Sequence, residues 1–130
     1  AISSLTSAKK LTENPSNLQD IDFQILEIQF HNLNNYKTAY RIAMGISGLN
    51  RSKALQIAAK CVSNTANSCG TSTFDRKCNY YYAAELAERA GDSAAASSYR
   101  KNAPTTEDIF NNNSPSTVFL SCWKVTINVR

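Results

Sequence analysis

Apolar residues recur every three or four positions from Leu18 to Phe110, and at every second position from Val125 onward. This pattern predicts a helical body followed by a β tail. Leu18, Ile21, Ile25 and Ile28 hold the helical period, and Phe23, Leu26, Phe30 and Leu33 widen the stripe. A strong helix is expected over 18–32, with an apolar face broad enough to be covered on two sides. Asn14-Pro15-Ser16-Asn17 breaks the chain before it: Pro15 disfavours helix at Asn14, and Ser16 or Asn17 is placed to cap the helix. A short helix around Leu5 to Leu11 is expected upstream.

Asn32 to Asn35 marks a turn. Helical spacing resumes over 36–47 with Tyr36, Ala39, Tyr40, Ala43, Met44 and Ile46, and Gly48 is placed to stop it. A third helix is expected over 51–62, with Ala54, Leu55, Ala58, Ala59 and Val62 inward. The stretch 64–73 is rich in Asn, Ser, Thr and Gly and reads as a loop. A fourth helix comes next over 78–90, its start reaching back toward Phe74, and Gly91 closes it. Asp92 or Ser93 caps a fifth, Ala-rich helix over 93–102. Ala103-Pro104-Thr105-Thr106 ends that helix, and Thr106 to Phe110 can add one more turn. After a polar linker over 111–116, Val125, Ile127 and Val129 alternate with Thr126, Asn128 and Arg130, as in a half-buried strand. The expected fold class is mostly α. Antiparallel helical hairpins span 1–110, and a short β strand or hairpin in 111–130 packs on them as one structural unit.

Size and composition narrow this further. The chain has 130 residues, enough for one domain or one short stack of repeats. Hydrophobic residues make up 42%, sufficient for a core, while charged residues are 18%, below the usual roughly 25%. No apolar run approaches the roughly 20 residues of a membrane span. No basic stretch followed by an apolar one opens the chain, and four cysteines fit an oxidising compartment. The chain is therefore expected to be a mature exported protein, or a processed piece of one, working outside the cell or in the periplasm. The net charge of +4 comes without clustering: Lys9-Lys10, Arg76-Lys77 and Arg100-Lys101 lie on different segments. Scattered charge gives no electrostatic stripe, so nucleic acid is not expected as a partner.

Two helix pairs share a layout. Leu33-Asn34-Asn35-Tyr36 leads into Lys37-Thr38-Ala39-Tyr40, and the Ala83 to Asp92 stretch leads into Ser93 to Tyr99. Both resemble the hairpins of tetratricopeptide repeats, where small Ala residues let paired helices approach closely. A more specific set covers roughly residues 50–130. It runs from Ser68-Cys69-Gly70 through Phe74-Asp75-Arg76-Lys77, Ala103-Pro104 and Glu107-Asp108-Ile109-Phe110 to Cys122-Trp123 and the terminal Val-Thr-Ile-Asn-Val-Arg. In that order these segments resemble the C-terminal part of a family of exported tetratricopeptide-repeat proteins from Bacteroidota. The resemblance implies a helical-repeat fold with a small β finish and no enzymatic role. The family usually has a Gly-containing turn after the Trp, whereas here Lys124 comes directly after it. A terminal hairpin and one long bent strand therefore both stay open.

Cys61, Cys69, Cys78 and Cys122 allow three pairings. Cys61 ends one expected helix and Cys78 begins the next, so antiparallel packing would bring them together as one disulfide. Cys69 and Cys122 are left to staple the β tail to the body. The resemblance agrees, since it places the Ser-Cys-Gly loop and the Cys-Trp strand at matching positions. With no C-x-x-C and a single distant His, a zinc site is not expected, nor is a catalytic thiol.

The candidates for chemistry are few. His31 is the only histidine and sits near a helix end, with no motif supplying a nucleophile and an orienting acid. Asp20 with Asp22, or Glu85 with Glu88, could be offered as carboxylate pairs. Glu85 and Glu88 have the spacing of a solvated helix face, with Arg89 one turn from Glu85. No phosphate loop, nucleophile elbow or H-E-x-x-H is present. Tyr80, Tyr81 and Tyr82 point in three directions about 100° apart on a helix, so at least one lies at a seam or is exposed. Tyr80, Tyr81, Tyr82 and Trp123 thus divide between core packing and partner contact. Asn50-Arg51-Ser52 and Asn112-Asn113-Ser114 fit the N-x-S/T acceptor pattern, which matters only in a glycosylating host.

The expected function is a non-enzymatic, exported repeat module for protein–protein contact, without cofactor or metal, whose partner is another protein or itself. An alternative is a subunit of an extracellular filament or surface assembly. In it the terminal strand, carrying Val125, Ile127 and Val129, recruits another chain through an unpaired edge. A small secreted hydrolase or toxin using His31 with Asp20 or Glu27 is the remaining alternative.

Overall fold

A computed structural model of the chain describes residues 15–129; the expected short helix around Leu5 to Leu11, the Lys9-Lys10 pair and Arg130 lie outside the described residues. Among the described residues, six α-helices precede a two-stranded antiparallel sheet: α1 Pro15–Glu27, α2 Tyr36–Met44, α3 Arg51–Thr65, α4 Thr73–Arg89, α5 Ser93–Arg100, α6 Thr106–Asn111, β1 Thr117–Leu120 and β2 Val125–Asn128. Successive helices pack side by side from α1 to α5, and β1 lies against α4. Three buried i, i+4 alanine pairs line the seams: Ala39 and Ala43 on α2, Ala54 and Ala58 on α3, Ala83 and Ala87 on α4. Side chains at that spacing share one helix face, and their small size lets the backbones approach. Larger groups (Leu26, Ile46, Val62, Leu86) fill the space between the seams and are fully buried.

Helix ends depart from the pattern-based bounds for local reasons. α1 starts at Pro15, where the missing N–H has no intrahelical partner to lose, so Ser16 and Asn17 fall inside the first turn instead of capping it. The stretch expected to continue as α-helix widens at Ile28–Asn32 into a π turn closed by Leu33 N–H to Ile28 O at 3.2 Å. α2 stops at Met44, short of Ser47, because the Arg51 guanidinium reaches back to the carbonyls of Met44 (3.0 Å) and Ile46 (2.9 Å). Cationic groups satisfy terminal carbonyls well. α3 runs on to Thr65, and Ala66–Ser68 forms a 3₁₀ turn where only loop was expected.

α4 begins at Thr73, earlier than Cys78, because the Ser72 side chain accepts from the Asp75 N–H at 3.1 Å. It ends in a Schellman motif: Asp92 N–H to Ala87 O and Gly91 N–H to Glu88 O, both 2.9 Å, with Gly91 at φ +78°. Asp92, not Ser93, then caps α5 through Ala95 N–H. α6 carries a reciprocal capping box between Thr105 and Asp108. The Asp108 carboxyl is held below its ordinary range, first by the Thr105 N–H.

The tail is a hairpin and not one long strand. Thr117 pairs with Asn128, Val118 with Ile127, Phe119 with Thr126 and Leu120 with Val125. Leu120, Ile127 and Val129 are buried, and Thr126 and Asn128 are exposed, as the alternation predicts. Lys124 makes the turn by adopting φ +55°, the left-handed conformation that ordinarily favours glycine.

One expected crosslink is present and one is not. Cys69 and Cys122 are joined, with their Cα atoms 5.8 Å apart. Cys61 and Cys78 are free thiols, so the expected second disulfide is corrected. Both are fully buried in the apolar core, and burial pushes each thiol up to about 12. They serve as small core residues.

Candidate functional site

The hairpin turn is fastened by two adjacent links, one to the loop before α4 and one to α4 itself. Cys122 is bonded to Cys69, and next to it the Trp123 indole N–H donates to Asn79 Oδ1 at 3.1 Å. Asn79 is only 1% exposed and is the one buried polar residue among those described. Its amide nitrogen donates to Cys69 O at 2.7 Å and Arg76 O at 3.0 Å. Gly70, beside Cys69, has φ +144°, and a Cβ there would sit 2.9 Å from Arg76 N. The Ser-Cys-Gly loop therefore needs glycine to lie this close to α4.

Fixing the hairpin in this position leaves a groove between it and the helices. One wall is α2, where Tyr40, Arg41 and Met44 line about 520 Å³ of open space. The opposite wall is α4 with Tyr82, Glu85 and Arg89, and the side is β2 with Val125, Thr126 and Ile127. A neighbouring space of about 220 Å³ shares Tyr40 and Arg41 with it and is lined further by Lys37, Trp123 and Lys124. Lys37, Tyr40, Arg41 and Met44 follow i, i+3, i+4, i+7 spacing and so occupy one face of α2. The floor is aromatic. The Tyr40 and Tyr82 hydroxyls are hydrogen-bonded to each other, and the Tyr40 ring lies 4.6 Å from that of Trp123. Burial raises both tyrosine hydroxyls above their ordinary range, so they stay neutral across physiological pH. Arg89 is held by Glu85 at 2.5 Å.

β2 lines this groove with three consecutive residues and pairs with β1 along one edge only. Val129 N–H bonds to Ser116 O at 3.0 Å, which extends the register by one hydrogen-bonded pair. Opposed residues in an antiparallel pair alternate between bonded and non-bonded. Val118–Ile127 and Leu120–Val125 are therefore the bonded pairs, and the backbone N–H and C=O of Thr126 point away from β1. Thr126 lies on the groove. Thr117 and Phe119 offer the same groups along the outer edge of β1.

The residues singled out as partner contacts divide. Tyr82, Trp123, Ile127 and Val129 are 3–6% exposed, so their side chains belong to the core and not to a protruding contact surface. Tyr81 is half-buried and donates to Pro104 O at 2.7 Å; Tyr80 and Val125 are half-buried as well. The outward offering of β2 is its backbone edge, with Tyr82 and Ile127 reaching the groove only as floor. Lys37, Tyr40, Arg41, Met44 and Lys124 were missed as a site, although the spacing on α2 shows the stripe. Asn79 had no sequence signal, because an Asn inside a helix ordinarily reads as solvated.

Of the described groups considered for catalysis, Glu85 lines this groove, paired with Arg89, and the others lie elsewhere. His31 and Glu27 are exposed near the π turn, with the His31 ring against Phe30. The Asp20 side chain lies outside the described residues. Glu88 pairs with Arg100, and Lys77 with Asp108 at 3.6 Å. Among the described residues no group of three or more His, Cys, Asp or Glu could hold a metal ion. No helix among them is long and apolar enough to cross a membrane. The Cys69–Cys122 disulfide is compatible with an oxidising compartment. No protein-family model matches the chain, and no curated protein or solved structure shows significant similarity to it.

Proposed function

We propose that the chain is a non-enzymatic, exported protein-docking module, and that its groove takes an extended segment of another protein as a third strand beside β2. One observation carries this reading: the Thr126 N–H and C=O point away from β1, and Thr126 lines an open groove with an aromatic and apolar floor. Such an edge recruits a strand through main-chain hydrogen bonds, and the floor supplies side-chain specificity. The repeat resemblance supports the same reading, since stacked helical hairpins commonly present a surface for a partner.

Thr126→Pro removes the outward donor without touching the hydrogen bonds to β1. Peptides selected by display against the intact disulfide-bonded chain should lose binding to this variant. They should keep binding to Thr117→Pro, which blunts the opposite edge. Selected peptides indifferent to Thr126→Pro would refute the docking reading.

A second reading is supported by the hairpin having two open edges. The β1 edge of one copy can pair with the β2 edge of the next, a head-to-tail contact that does not close on itself. The chain would then be a subunit of an extracellular assembly. Negative-stain electron microscopy of the concentrated protein should show ordered oligomers, and a monomer throughout ends that reading.

A further inference from the structure

We propose that the segment taken by this groove is acidic: an extended peptide carrying a carboxylate side chain two residues from an apolar one. The inference rests on the docking reading above and adds the chemistry of the occupant. The groove has two unlike ends. Lys37, Arg41 and Lys124 surround Tyr40 and Trp123 at one end. None of these three cations is in a salt bridge among the described residues. At the other end Glu85 already balances Arg89, and Met44, Val125 and Ile127 supply apolar surface.

Three cations converging on one end repel each other, and a carboxylate placed among them relieves that repulsion with charge-assisted hydrogen bonds. The distances suit a short strand. Lys37 to Met44 is seven residues of helix, about 10 Å at roughly 1.5 Å per residue. An extended peptide covers that length in about three residues at roughly 3.3 Å each. Its side chains at i and i+2 share one face about 6.6 Å apart at that rise, and the long Lys37, Arg41 and Lys124 side chains close the remaining few ångströms at the cationic end. The carboxylate sits with Lys37, Arg41 and Lys124, and the apolar group with Met44 and Ile127. A second copy of this chain, at net charge +4, is a poor electrostatic match for the cationic end. A nucleic acid would leave the strand-pairing groups of Thr126 unused.

The test uses three synthetic decapeptides of Ser and Thr with one Val, differing only two residues before it, where they carry Glu, Gln or Lys. Each is titrated into the full chain, following the amides of Thr126 and Lys124 and the indole of Trp123, the only tryptophan, by NMR. The Glu peptide should bind at least tenfold more tightly than the Gln peptide, and the Lys peptide should not bind. The double variant Lys37→Glu, Lys124→Glu changes two exposed side chains and should reverse that order, while an unchanged Trp123 indole signal reports an intact hairpin. Equal affinity for the Glu and Gln peptides, with shifts at Thr126, overturns the acidic preference and leaves the docking reading standing. Silence at Thr126 with all three overturns both. A ten-nucleotide oligo(dT) binding more tightly than the Glu peptide overturns the proposal in favour of nucleic acid. Concentration-dependent broadening of the same amides without peptide overturns it in favour of a second copy.

Discussion

Trp123 donates its indole N–H to the side-chain oxygen of Asn79 across 3.1 Å, tying the hairpin turn to the middle of α4. Asn79 in turn holds Cys69 O, so one buried amide connects the two segments that the Cys69–Cys122 bond joins covalently. Replacing Asn79 by Leu leaves the indole N–H and the Cys69 carbonyl unpaired in the core. Each unpaired buried group costs roughly 1–3 kcal/mol, so the variant should lose about 3 kcal/mol. Urea unfolding of Asn79→Leu, Trp123→Phe and the double variant checks this. The double variant should lose less than the sum of the two singles, because both break the same bond.

The disulfide closes a separation of 53 residues, for which chain entropy gives about 4 kcal/mol. The Cys69→Ser, Cys122→Ser variant should lose about that amount. If Asn79–Trp123 alone holds the hairpin, the variant keeps its indole signal by NMR while its unfolding midpoint falls.

Cys61 and Cys78 should be protected thiols. Iodoacetamide at pH 8 should label neither in the folded protein and both after denaturation, with Cys69 and Cys122 unlabelled until reduced. Their folded pKa of about 12 lies above the ordinary value of 9.0. A group that releases its proton more easily when unfolded favours unfolding as pH rises between those values. Stability should therefore hold below about pH 9 and fall between about pH 9 and 12. The midpoint of urea unfolding at pH 8 and at pH 10.5 measures it; an unchanged midpoint refutes the assignment of two free buried thiols.

Lys124 holds φ +55° at the hairpin turn. A left-handed backbone costs a non-glycine residue roughly 1–2 kcal/mol. Lys124→Gly should recover part of that, raising stability by about 0.5–1 kcal/mol, as thermal unfolding would show. The same change should weaken the Glu peptide, because it removes one of the three cations.

Much of the fold was legible from spacing alone. The runs of apolar residues placed α1 to α5, and the alternation of Val125, Ile127 and Val129 placed β2. The bounds shifted where a side chain far from the pattern acted on a helix end, as Arg51 does on α2 and Ser72 on α4. Elimination, together with the repeat resemblance, suggested that the Cys69 loop meets the tail, and that bond is present. The antiparallel-packing argument misjudged Cys61 and Cys78, which are small core groups. The groove was hidden because it is made of three elements distant in sequence, and because the Thr126 backbone carries no residue-type signal. Asn79 was hidden for a related reason: only the tertiary fold turns a polar residue inside a helix into a buried anchor.

The docking account stands most directly on the free edge of β2, and backbone amide hydrogen exchange measured residue by residue on the unliganded chain tests it. Thr126 should exchange rapidly while its neighbours Val125 and Ile127, bonded to β1, exchange slowly. A Thr126 amide as slow as that of Ile127 would mean the edge is already covered, and would contradict the account.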